Sequence, residues 1–251
     1  MISERNQLGT VVSFEALKLG RRGKVRGTMA WTAIILTTAI VPIFLGYINT
    51  ASPEAFFTWV LQPSLFGLYL YFAVCILAGD SVTSEFEHKT CFITFTNPIK
   101  KSTLLLGKYL ACLTVVAGAL FVYYFVSSVV VYTMFGVFLQ QAIASYFYSV
   151  IAGAAALGVV FLFSSVMRGS ASATLSSLLM LSFGFQLISI LMQMWRVEPW
   201  FILNYAAVII NVAIQPFPGN PDALVSIAVL TLYVAVTLTA SVFLLNRKEL
   251  S

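Results

Sequence analysis

Six long apolar runs, separated by short polar segments, constrain this chain more than any other feature of its sequence. A helix that crosses a hydrocarbon core of roughly 30 Å needs about 20 mainly apolar residues. The runs are Met29 to Ile48, Phe56 to Gly79, Leu106 to about Phe135, about Val137 to Met167, Ala173 to Met194 and Ala223 to Leu245. The sequence therefore predicts an all-α integral membrane protein with six transmembrane helices.

The composition supports this prediction. Only 9% of the residues are charged and 60% are hydrophobic, whereas roughly a quarter of the residues are charged in soluble domains. The six runs take up most of the 251 residues, which leaves no room for a soluble catalytic domain. We expect one transmembrane domain over residues 1–251, surrounded by membrane lipid and without a nucleic-acid partner.

The lysines and arginines indicate how the spans are oriented. Six spans place both termini on one side of the membrane, and every lysine and arginine except Arg196 falls on that side. Because cytoplasmic loops carry an excess of these residues, we expect a multi-pass protein of the cell membrane with both termini in the cytoplasm. Residues 1–28 predict a retained interfacial helix, whose weak apolar face is interrupted by Glu15.

The segment before the last span differs from the six runs. Trp200 to Ile214 is apolar but too short to cross a membrane comfortably, and prolines flank it on both sides. A seventh crossing would also move Arg247 to the outside. We expect residues 195–222 to form a re-entrant extracellular hairpin, with its irregular backbone shielded by protein or facing water.

The longest polar stretch between two apolar runs covers residues 80–108. Ser84 and Glu87 in this stretch have the spacing of a capping box, which predicts a short helix from about Glu85 to Phe95. A helix there, parallel to the membrane, would present its side chains to a cytoplasmic partner. An ordinary solvated loop is the alternative.

The same stretch resembles the ABC-2 type permeases, the membrane subunits of one class of ATP-driven transporters. The positions that carry the resemblance are Asp80, Glu85, Thr90, Pro98 and Gly107-Lys108. The resemblance implies a coupling helix that docks into a groove of a separate ATPase subunit, and a pair of short re-entrant helices before the last span. The ATPase contacts that it implies in this chain are Asp80, Glu85, Phe86, Glu87, Thr90 and, in the next cytoplasmic loop, Arg168.

The chain lacks the motif that would let it bind ATP by itself. A Walker A loop needs Gly-x-x-x-x-Gly-Lys-Ser/Thr, and the nearest match, Gly107-Lys108-Tyr109, has Ser102 where the first glycine belongs. We therefore do not expect an enzyme; ATP and magnesium would be bound by the partner subunit, and this chain would hold no cofactor. The single histidine, His88, lies beside two glutamates, but the sequence supplies no further ligands for a metal site.

Polar side chains recur on one face of two predicted spans. In the fifth span they are Ser182, Gln186, Ser189 and Gln193. Their spacings of 4, 3 and 4 place them on a shared helical face, and Gln62 and Tyr69 align seven residues apart in the second span. Amides in lipid are unfavourable unless they face protein or water. We interpret both faces as the lining of a translocation path at a dimer interface, as the resemblance implies; hydrogen bonding between helices is the alternative.

Together these features indicate the permease subunit of an ATP-driven ABC transporter. The resemblance implies export as the direction of transport. The subunit would pair with a second copy or a related permease and bind two copies of the ATPase. A membrane anchor that recruits a cytoplasmic protein without transporting anything is the alternative. The substrate, and the choice between a homodimer and a heterodimer, are left open by the sequence.

Overall fold

A computed structural model describes residues 4–46, 52–87, 101–167, 169–216 and 222–247. Within these ranges the regular structure is entirely helical. The helices are α1 (Glu4–Arg21), α2 (Lys24–Phe44), α3 (Pro53–Val60), α4 (Pro63–Ala78), α5 (Thr83–Glu87), α6 (Lys101–Phe135), α7 (Gln141–Val166), α8 (Ser170–Leu179), α9 (Phe185–Met194), α10 (Leu203–Ala206), α11 (Ile209–Val212) and α12 (Ala223–Arg247). A π-helical turn, Met180–Gly184, joins α8 and α9 into one continuous span.

The described residues include five helices that are long and apolar enough to cross a membrane, or six if one bent pair counts as a single span. The straight spans are α2, α6, α7, α8 joined to α9, and α12. This confirms an all-α architecture with several membrane-length helices. The bent pair consists of α3 and α4.

The hydropathy pattern suggested that the second apolar run is one straight helix, but the structure divides it into two helices. It breaks at Leu61 and Gln62, and α3 and α4 meet at an angle of 47°. Pro63 causes the break, because the residue before a proline is driven out of the helical conformation; Gln62 accordingly has a ψ of 130°. The Tyr123 hydroxyl donates to the carbonyl oxygen of Val60 at 2.8 Å, so the carbonyl at the end of α3 has a partner.

Helix α7 lies at the centre of the bundle. Two thirds of its most apolar segment is buried, against 22% for the α8–α9 span and for α12. Small residues allow this central position, since a Cβ on Gly158 would overlap Thr237 Oγ1 of α12. A Cβ on Gly153 would lie only 3.2 Å from Val116 Cγ1 of α6. Close approach of this kind drives helix packing in the membrane, because apolar side chains gain little by exchanging lipid tails for another helix.

The N-terminal segment forms α1, and it packs against α6. The two helices approach closely at Gly107, where a Cβ would overlap Val11 Cγ1. Gly23, with a φ of 74°, separates α1 from α2. Glu15 lies on the same face as Val11 and Leu19, as the sequence indicates, and all three residues on this face are buried.

Two short helices, α10 and α11, fill the segment before the last span. They pack against α7 and α12, and the side chains of Leu203, Ile209 and Ile210 are buried. The Ser145 hydroxyl of α7 donates to the Ile210 carbonyl at 2.7 Å, which satisfies part of the irregular backbone from within the protein. Residues 217–221 of the predicted hairpin lie outside the described ranges.

Helix α5 begins at Thr83, two residues earlier than the capping-box pattern predicts. Ser84 lies inside the helix instead of capping it, and its backbone amide donates to Asp80 O at 2.9 Å. The capping-box prediction is therefore wrong. The rest of the predicted coupling helix, from residue 88 onwards, lies outside the described ranges.

Candidate functional site

A cavity with a mixed polar and apolar lining has a volume of about 450 Å³. Its walls come from the first half of α4, from the π-helical turn and α9, and from the short helices α10 and α11. The break before Pro63 turns α4 away from α3, and the short helices close the third side. We call it the polar cavity.

The four polar residues of the fifth span all reach this cavity. Ser182, Gln186, Ser189 and Gln193 line one wall, and the Gln193 amide donates to Ser189 Oγ at 3.5 Å. Ser182 lies within the π-helical turn, a type of distortion that is frequent at functional sites. The sequence predicted the shared face from helical spacing, but no sequence signal predicted the π-helical turn.

The two residues predicted from the second span lie elsewhere. Gln62 lies in the break between α3 and α4, and Tyr69 is fully buried on another side of α4. The Tyr69 ring stacks on Tyr123 with 4.9 Å between ring centroids, and its hydroxyl accepts a hydrogen bond from Thr32. Neither residue is part of the described cavity wall. Their helix contributes Tyr71 and Ser64 to the wall instead.

Two asparagines on the short helices complete the polar lining. The Tyr71 hydroxyl donates to Asn204 Oδ1 at 2.6 Å, which ties α4 to α10 across the cavity. Asn211 Oδ1 and Ser182 Oγ are buried and have no hydrogen-bond partner within the described part of the chain. The presence of asparagines in a short apolar segment was the available sequence signal, but it did not indicate that they face the fifth span.

Below the cavity, α4 and α8 close against each other. Cys75 Sγ lies 3.5 Å from Ser177 Oγ, and a Cβ on Gly79 would overlap Thr174 Oγ1. We call this contact the α4–α8 seam. It separates the polar cavity from the end of the bundle where α4 terminates.

Charged side chains gather at that end, which we call the charged end; its members are Glu15, Lys24, Asp80 and Lys108. Lys24 Nζ donates to Asp80 Oδ1 and, at 3.1 Å, to Leu77 O. Lys108 Nζ donates to Ser81 O at 3.0 Å and lies 3.8 Å from Glu15 Oε1. These contacts join α1, α2 and α6 to the segment that leaves α4.

Helix α5 is fixed to the same end through backbone amides. The amides of Val82 and Thr83 donate to Ser164 Oγ of α7 at 3.1 and 3.3 Å. Glu87 Oε2 accepts from the Ser170 amide at 3.0 Å, so its carboxylate lies at the positive N-terminal end of α8. The start of the predicted coupling segment is thereby attached to α7 and α8.

The structure locates only part of the predicted ATPase-contact set. Asp80 is paired with Lys24, and Glu87 is exposed beside the start of α8. Glu85 and Phe86 belong to α5, but their side chains lie outside the described part of the chain, as do the residues Thr90 and Arg168.

The described residues contain no group of three histidine, cysteine, aspartate or glutamate side chains that could hold a metal ion. His88 lies outside the described ranges. The described cysteines, Cys75 and Cys112, are both buried and unpaired.

Comparison of the chain with protein-family models and with curated proteins finds no match. The resemblance to ABC-2 type permeases consequently rests on the motif residues between the second and third spans. Of these residues, Asp80 and Lys108 have described side chains at the charged end, and Gly107 directly precedes Lys108.

Proposed function

We propose that this chain is the transmembrane permease subunit of an ATP-driven ABC transporter. Six spans, with α3 and α4 counted as one, would place the charged end and both termini in the cytoplasm. Two copies, or one copy and a related permease, would form the translocation path, and two copies of a separate ATPase would bind ATP and magnesium. Export is the direction that the resemblance implies.

The observation that carries the proposal is the polar cavity among the membrane-length helices. Polar side chains within membrane-spanning helices are unfavourable, and those that persist mark ligand or ion pathways. A membrane anchor needs no such cavity, because packing alone would hold its helices together. The cavity therefore favours transport over anchoring.

The contacts around α4 provide a route by which a cytoplasmic partner could move the cavity walls. Helix α4 lines the cavity at its start and ends at the charged end, next to α5. Helix α8 begins beside Glu87 and continues through the α4–α8 seam into the other cavity wall. A partner that displaces α5 would thus act on both walls at once, through covalent continuity on α4 and through the Ser170 contact on α8.

Co-purification tests the proposal. The full chain is tagged and extracted from its native membrane, and the associated proteins and their ATP hydrolysis are measured. We expect a stoichiometric partner with a Walker A motif, and weaker association after Glu87→Ala. The matched control is Glu198→Ala, which changes an exposed glutamate beyond the end of α9 and which we expect to leave association unchanged.

Two results would contradict the proposal. Recovery of the intact oligomer without any ATPase would remove the basis for ATP-driven transport. A cytoplasmic partner that lacks ATPase activity would instead support the anchor function.

A further inference from the structure

The polar cavity is lined by neutral hydrogen-bonding groups. Half of the residues on its described walls are polar, and none of those described residues is charged. The polar ones are Ser64, Tyr71, Ser182, Gln186, Ser189, Gln193, Asn204, Tyr205 and Asn211. Such a lining offers many donors and acceptors but no counter-charge, so it is matched to an uncharged ligand.

Two oxygen atoms on these walls have no partner to bond. Asn211 is 9% exposed, and its Oδ1 accepts no hydrogen bond from any described residue. The buried Ser182 hydroxyl likewise has no hydrogen-bond partner among the described residues. A buried acceptor without a donor is destabilising, and native proteins rarely retain one without a reason. A ligand hydroxyl that donates to Asn211 Oδ1 supplies that reason.

The walls formed by the two short helices are held in place independently of any ligand. The bond from Tyr71 to Asn204 fixes α10 against α4, and the bond from Ser145 to Ile210 fixes α11 against α7. Asn211 directly follows Ile210, so the backbone that carries its side chain is held by the same bond. A site whose walls are already ordered loses less conformational freedom on binding.

We propose that the polar cavity binds an uncharged polyhydroxylated molecule of monosaccharide to disaccharide size. Hydroxyl groups and carboxamides both donate and accept, so neighbouring ligand hydroxyls pair with the amides of Gln186, Gln193 and Asn211. Apolar residues such as Phe66 and Leu70 on the same walls contact the C–H faces of the ligand. The volume of about 450 Å³ lies within the range of roughly 300–1,000 Å³ found for small-molecule sites.

The inference that this ligand is the transported substrate rests on the proposed function. The inference that the cavity binds the ligand does not. Binding is therefore measured on the full chain alone. The protein is reconstituted into phosphatidylcholine nanodiscs and kept free of detergents with sugar headgroups, because those headgroups carry the chemistry under test. Glucose and maltose are the neutral probes, and glucuronate and glucosamine are charged probes of similar size.

Saturation-transfer NMR titrations are expected to show saturable binding of the neutral sugars. The charged sugars should bind about tenfold more weakly or less, because their charge would be desolvated without a counter-ion. Absence of saturable binding would overturn the proposal and leave a cavity filled by water. Equal binding of neutral and charged probes would overturn it as well.

Substitutions in the cavity wall test whether the sugars bind in the polar cavity. Gln186→Leu and Asn211→Leu should each weaken sugar binding about tenfold through a lost hydrogen bond to a ligand hydroxyl. Gln215→Leu is the matched control, since this exposed amide bonds Thr58 and lies outside the described cavity wall. Gln186 is exposed to the cavity, so its replacement does not disturb the buried core. Equal losses in all three variants would place the binding elsewhere.

Asn211→Leu also separates a ligand contact from a structural role. In the ligand-free protein, it removes the unpaired acceptor, so its unfolding midpoint should equal or exceed that of the unmodified chain. A lower midpoint would mean that Asn211 stabilises the bundle, and would overturn its role as a ligand contact. Sugar binding without an associated ATPase would support the site and contradict the transport function; the reverse would contradict only the site.

Discussion

Replacing Glu15 with glutamine is expected to destabilise the bundle by removing a carboxylate that lies against the buried ammonium group of Lys108. Lys108 Nζ lies 3.8 Å from Glu15 Oε1, and the side chains are 5% and 11% exposed. Lys108 keeps its hydrogen bond to Ser81 O at 3.0 Å, but it loses the attraction of the Glu15 carboxylate. Helix α1 should therefore dock less tightly on α6 in Glu15→Gln.

The magnitude follows from the separation and the burial. At 3.8 Å, two unit charges attract by about 4 kcal/mol when the effective dielectric constant is about 20. Loss of one partner of a buried pair typically costs about 3–5 kcal/mol. The contacts that Lys108 keeps, among them the bond to Ser81 O, reduce that loss, so we expect Glu15→Gln to lower the free energy of unfolding by about 2–3 kcal/mol.

A double-mutant cycle measures this coupling. Glu15→Gln, Lys108→Met and the double variant are unfolded with sodium dodecyl sulfate in mixed micelles, and helix content is followed by circular dichroism. Lys108→Met should destabilise by a similar amount because it leaves Glu15 buried, although Lys18 at 3.3 Å offsets part of the loss. The double variant should be within about 1 kcal/mol of the unmodified chain, because both desolvated charges are gone.

The control is Glu198→Gln, which changes an exposed glutamate and should stay within about 0.5 kcal/mol of the unmodified chain. Additive effects of Glu15→Gln and Lys108→Met, within about 0.5 kcal/mol, would show that the two groups do not interact. That result would refute the ion pair as a contribution to the docking of α1 on α6.

Three further changes test the packing and the α5 contact. Gly158→Ala should lower the free energy of unfolding by about 1–3 kcal/mol through overlap with Thr237 Oγ1, and adding Thr237→Ala should restore most of it in the same unfolding titration. Tyr124→Phe should lower that free energy by about 1–2 kcal/mol, because its buried hydroxyl bonds two serine hydroxyls at 2.7 and 2.8 Å. Exposed Tyr132, changed to Phe, should be neutral. Glu87→Gln should speed hydrogen exchange of the first amides of α8, measured by mass spectrometry, because it weakens the charge interaction at that helix end.

A specific outcome would contradict each of these three predictions. No recovery in the Gly158→Ala, Thr237→Ala double variant would mean that the overlap is not the cause of the loss. Equal effects of Tyr124→Phe and Tyr132→Phe would remove the buried hydrogen bonds as the explanation. Unchanged exchange at the start of α8 after Glu87→Gln would show that α5 does not hold α8, and would weaken the proposed coupling route.

The length and spacing of apolar and polar residues were enough to predict the helical membrane architecture and one wall of the cavity. Span length follows from the thickness of the hydrocarbon core, so hydropathy alone locates the long helices. The shared face of Ser182, Gln186, Ser189 and Gln193 follows from helical periodicity within one segment, and the structure brings all four to the polar cavity. The ATPase contacts and the translocation path stay predictions.

Only the tertiary structure decided which faces of the helices meet. It placed Tyr69 in an aromatic stack and Tyr71 in the cavity wall, and it brought Asn211 to the same cavity. It also paired Glu15 with Lys108 on the packed face of α1. The physical reason is that lipid tails are as apolar as leucine, so hydropathy says that a segment is in the membrane but not which face turns inward. That choice depends on close approach at glycines and on hydrogen bonds between helices distant in sequence, which the local pattern of one segment does not contain.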